Sequence, residues 1–124
     1  MQWSNDIFDV YKDQESEIRT LITSTSNIED IEMKFSKVIH DAYQYKHFNG
    51  FDRKEVKKYL IILSLAVFSR ARVALHRWKS LSKKTEEGFQ LQAYTREQLI
   101  GDMEKKENSL MALQYHVQLM ETLL

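Results

Sequence analysis

The side chains able to do chemistry in this 124-residue chain are few and poorly grouped. The histidines are His40, His47, His76 and His116. His40 and His47 would share a helical face two turns, about 10 Å, apart, which one metal ion cannot bridge. No H-x-x-x-H occurs, and no glutamate sits three residues before a histidine as in di-iron bundles. Cysteine is absent, which removes thiolate chemistry and disulfides. A glycine-rich phosphate loop and a G-x-S-x-G turn are also missing. The carboxylate pairs Glu86-Glu87 and Glu104/Glu107 are of a kind that exposed helices carry routinely. These residues predict no cofactor, no metal and no enzyme.

The cations are better organised. Arg70, Arg77 and Lys84 recur every seven residues, and Arg72 and Lys79 do so on an adjacent face. The formal net charge is zero, yet it is unevenly spread: the segment 51–86 carries +7, segments 1–26 and 87–124 carry −3 each, and 27–50 carries −1. One reading is intramolecular, with a central basic helix complementing acidic neighbours. The other is an exposed basic face for an anionic membrane or an acidic partner. A pI near 6.9 is far below the value of about 9 typical of a basic nucleic-acid-binding domain, so nucleic acid is disfavoured.

The elements that must hold these groups are helices. Proline is absent and glycine occurs only at Gly50, Gly88 and Gly101, so little interrupts long helical runs. Four helices are expected, near 4–23, 27–47, 53–84 and 89–123, in one all-α domain. In the first, Ile7, Phe8, Tyr11, Ile18, Leu21 and Ile22 form the apolar stripe, and the polar run 23–27 supplies a break. The second opens on a capping box, Ser26 with Glu29, and ends at Asn49-Gly50. The third opens at Asp52 with Glu55, and Phe51 and Val56 match a hydrophobic staple. In the fourth, Leu99, Met103, Lys106, Leu110, Leu113, Val117, Met120 and Leu124 alternate spacings of four and three. That is a heptad seam with a polar break at Lys106, and Met111, Tyr115 and Leu119 add a second apolar face. The architecture expected is an antiparallel bundle or long hairpin with coiled-coil character.

No apolar run reaches the roughly 18 residues that a membrane span needs, and the N-terminus lacks the layout of a signal peptide. A cytoplasmic location is expected. The run from Tyr59 to Phe68, broken only by Ser64, is apolar all round, which demands burial on every side. Together with the C-terminal seam it exceeds what a small fold readily hides. Partner-binding residues are therefore expected at Ile61, Leu65, Phe68, Leu99, Met103, Leu110, Leu113, Val117 and Met120, and a basic face at Arg70, Arg72, Arg77, Lys79 and Lys84. Trp78 reads as a core anchor; Trp3 reads as a partner anchor or a hydrophobic cap.

Between Tyr59 and Lys84 the order Tyr59, Phe68, Arg70, Trp78, Lys83-Lys84 resembles the second helix of sorting-nexin BAR domains, over about a fifth of the chain. The resemblance implies a dimer of three long kinked helices that presses a basic concave face on curved, anionic membranes. The leading expectation is a non-catalytic module for protein–protein interaction: a scaffold, adaptor or homo-oligomer that holds a helix of another protein or of itself. A membrane-surface module and a small secretion-type chaperone are the alternatives.

Overall fold

Asp52 starts the longest helix. Its Oδ1 accepts from the amides of Lys54 and Glu55 at 2.9 and 3.2 Å, satisfying two donors that a helix start leaves free. From there a computed structural model of the protein shows helix continuously over Arg53–Ser82. Residues 2–20, 22–24, 27–44, 48–84 and 88–123 are described, with no side chain given for residue 123. The helices are α1 (Gln2–Phe8), α2 (Val10–Glu15), α3 (Ile28–Ala42), α4 (Arg53–Ser82), α5 (Arg96–Leu99) and α6 (Lys106–Leu123). A 3₁₀ turn covers Leu91–Ala93. Among the described residues the fold is all-helical, without strands.

α4 is the central element, and α1, α3, α5 and α6 pack on it. Its core side chains Leu60, Phe68, Ala71, Ala74, Leu75 and Trp78 meet Ile7 and Val10, then Ile28, Ile31, Phe35 and Ile39, and finally Phe89, Leu91, Leu99 and Leu119. Phe68 is wedged between the rings of Phe35 and Tyr43, with centroids 6.1 and 5.9 Å away. Trp78, fully buried as expected, stacks on Phe89 and donates its indole N–H to the Leu99 carbonyl at 2.8 Å. A contact of this kind satisfies the polar edge of an interior indole.

Several expected boundaries move. The first helix breaks into α1 and α2 and ends before residue 18. Glu17 takes a left-handed φ of 57°, and the Ile18 and Glu17 amides bond back to the Asp13 and Gln14 carbonyls, a Schellman end. Buried Val10 joins its core face, while Phe8 and Ile18 are exposed; Leu21 lies outside the described residues. α3 is capped by Asn27, whose Oδ1 accepts from Asp30 N–H at 3.1 Å. The expected cap, Ser26, lies outside the described residues. α3 stops at Ala42, short of Asn49-Gly50; the next residue, Tyr43, is buried and donates its hydroxyl to the Leu60 carbonyl at 2.8 Å. Gly50 still adopts a left-handed φ of 91°, in the following turn. The staple at Phe51 does not form: that ring is exposed while Val56 is buried.

The fourth helix differs most. Instead of one rod over 89–123, the chain makes the 3₁₀ turn, the short α5 and then α6. Thr95 and Gln98 form a capping box that starts α5. The Leu99 carbonyl is taken by Trp78, and Gly101 passes so close to α4 that an added Cβ would lie 3.4 Å from Val73 Cγ1 and 3.5 Å from the Ala74 amide nitrogen. Asp102 Oδ1 then accepts from the Glu104 amide, and the chain re-enters helix at Lys106. The turn expected at Thr85 to Gly88 falls mainly on residues 85–87, outside the described set; Gly88 itself has a φ of 78°.

Candidate protein-docking surface

α4 is not regular. A π turn spans Ser64–Phe68, the second half of the apolar run. It lies where Ser64 and Ser69, both fully buried, place their hydroxyls 3.5 Å apart. His116 of α6 brings Nδ1 to 2.9 Å from Ser64 Oγ, and Tyr43, just past the end of α3, reaches the Leu60 carbonyl one turn before. α3, α4 and α6 are thus clasped by polar contacts at a single level. A serine beside a histidine is also the start of a nucleophilic pair. Here the serine has no exposed surface, so a substrate has no approach to it. Burial pushes the Tyr43 phenol up to about 12, with the Ser64 hydroxyl pulling the other way. The run expected to be buried on every side therefore buries its serine and Leu60 and Phe68, and turns Tyr59, Ile62 and Leu65 outward.

α6 shows the same inversion. Its core-facing residues are Asn108, Ala112 and Leu119, with half-buried Tyr115 at the same face. These positions follow spacings of four, three and four, one helical stripe. Tyr115 lies under the Arg72 guanidinium, 4.6 Å from its ring centroid. Burial raises its phenol, with Arg72 opposing. Asn108 donates to the Asp102 carbonyl at 2.8 Å and accepts from Arg77 at 3.3 Å. The seam residues Leu110, Leu113 and Val117 remain 50, 51 and 47 % exposed. At about 100° per residue they centre on the side opposite the packed face.

The expected partner-binding residues thus divide. Leu65, Leu110, Leu113 and Val117 are exposed; Ile61, Met103 and Met120 are half-buried. Phe68 and Leu99 are interior, a correction to their expected place on the surface: Phe68 fills the gap between Phe35 and Tyr43, and Leu99 sits under Trp78. Leu99 and Met103 also precede α6, so the heptad seam is not one continuous helix. Ile62, 64 % exposed, adds to this surface, and so does Phe8. Phe8 belongs to the apolar stripe expected of the first helix and Ile62 to the run expected to be buried on every side, and periodicity alone does not say which neighbour covers either.

The basic face divides as well. Arg70 and Lys84 are exposed. Arg72, Arg77 and Lys79 are half-buried and engaged within the chain, Lys79 with Glu32 of α3 at 3.4 Å. The five cations therefore do not present one free stripe. His40 and His76 are exposed, and His47 lies outside the described residues. By length and composition α4 passes as a bilayer span, contrary to the sequence expectation, but 44 % of its most apolar window is buried within the protein. Among the described residues there is no BAR-type trio of long helices: α4 has 30 residues, α6 has 18 and α3 has 15. No family model matches the chain, and no curated protein or solved structure does.

Proposed function

We propose that the protein is a non-catalytic helical interaction module whose docking surface combines the outer stripe of α6 with the exposed flank of α4. The observation that carries this reading is the orientation of α6: three of its larger aliphatic side chains, Leu110, Leu113 and Val117, remain about half exposed while Asn108, Ala112 and Leu119 face in. Exposing three aliphatic residues in register forfeits on the order of 1 kcal/mol of burial for each, a cost that a covering helix recovers. The spacing suits knobs-into-holes pairing with one more helix, and Lys106 at the head of the stripe would fix its register.

The test substitutes the stripe without touching the core. Leu113→Glu and Ile62→Glu leave circular dichroism unchanged and abolish either self-association or the retention of a helical partner from cell extract. A protein that stays monomeric, and whose retained partners are indifferent to both substitutions, refutes the reading.

A further inference from the structure

One exposed cation sits in the middle of apolar ground. Arg70 lies in a shallow hollow of about 420 Å³ with Ile62, Leu65, Ala66 and Met103. It also edges a second hollow of about 210 Å³, lined by Phe8, Ile100 and Gly101 among others. Arg70 is common to the lining of both, and no acidic partner reaches it among the described residues. An occupant must therefore bring an apolar stripe and a carboxylate beside it. The chain carries such an element. Along one edge of the α6 stripe run Glu107, Gln114 and Glu121, seven apart, with both glutamates exposed.

Resting on the docking role proposed above, we infer that the hollow around Arg70 receives the α6 stripe of a second copy of this chain. The stripe cannot fill the hollow of its own chain, because α6 already packs on α4 through its opposite face. Met103 lines the hollow and stands three residues before α6, so one short segment links the hollow to the helix that carries the stripe. Complementary patches linked in this way allow each copy to give α6 and receive its partner's, which closes as a two-fold dimer rather than a filament. Reciprocity also doubles a contact that one helix face alone would leave below the roughly 800 Å² per partner of a stable interface.

The test is sedimentation velocity on the full chain from about 1 to about 500 µM, with circular dichroism on each variant. The mass is expected to rise from 14.8 kDa towards twice that value. Leu113→Glu and Arg70→Glu each weaken association at least about tenfold. Glu107→Arg or Glu121→Arg, weakening on its own, restores association when combined with Arg70→Glu; mere structural damage would not be rescued in this way. A monomer at every concentration overturns the inference, as does a dimer indifferent to Arg70→Glu and Leu113→Glu, or failure of both charge reversals to rescue. If that monomer retains another protein's helix through Leu113, the docking role stands and only the second copy is refuted. If it instead binds vesicles containing about 30 % phosphatidylserine through Arg70, a lipid surface is the occupant. A monomer that does neither refutes both proposals.

Discussion

The Tyr43 hydroxyl is held without solvent contact against the Leu60 carbonyl, and the burial that raises its pKa to about 12 makes the fold sensitive to alkali. The unfolded phenol titrates near 10, the folded one two units higher, and the neutral form is the one the core accommodates. The resulting stabilisation is fully present below pH about 10 and lost as pH rises through about 12, on the order of 2–3 kcal/mol in all. Tyr43→Phe should cost about 1 kcal/mol at neutral pH and should flatten that alkaline loss; urea unfolding at a series of pH values reads both. Glu17 allows a change of opposite sign. It holds φ at 57° in the Schellman end of α2, where a side chain is strained. Glu17→Gly should raise stability by about 0.5–1 kcal/mol, whereas glycine elsewhere in a helix lowers it, and thermal melts of the two proteins decide the sign.

Helix α6 sets a sharper contrast, because two residues adjacent in sequence, Ala112 and Leu113, are buried and half exposed respectively. Ala112→Glu buries an unpaired carboxylate against α4 and should lower stability by several kcal/mol. Leu113→Glu should change it by less than about 0.5 kcal/mol, as chemical denaturation of the two variants will show. α4 was largely legible in the sequence: Asp52 opens it, few breakers interrupt it, and Trp78 anchors it. The spacing of 110, 113 and 117 was legible too, but spacing does not say which of two apolar faces packs at home. Asn108, Ala112, Tyr115 and Leu119 form a competing, more polar stripe, and it packs at home because Arg72, Arg77 and Asp102 satisfy its polar groups. Of the breaks around α5 only Gly101 was a local clue, a glycine that could bend the expected helix; the capture of the Leu99 carbonyl by the Trp78 indole comes from a distant part of the chain. Ser64 carried a local clue: a lone polar residue inside an apolar run, which here marks the buried side and the π turn.

Across the molecule, cohesion is apolar rather than ionic. The ion pairs among the described residues are Lys34–Asp30, Lys58–Glu55 and Lys79–Glu32, all substantially solvated, and only the last joins two helices. Exposed pairs contribute about 0–1 kcal/mol each, so raising the salt to about 1 M should shift the melting temperature by no more than a few degrees in calorimetry. Association through Arg70 should weaken under the same salt, since that contact is charge-assisted and lies at a surface. Trp78 provides a means of watching all of this. Its indole is sealed, stacked on Phe89 and tethered to the segment that leads into α6, whereas Trp3 is only half covered. With Trp3→Phe, the remaining emission would come from the junction of the central helix and the C-terminal arm, an intrinsic optical gauge of that joint needing no attached dye.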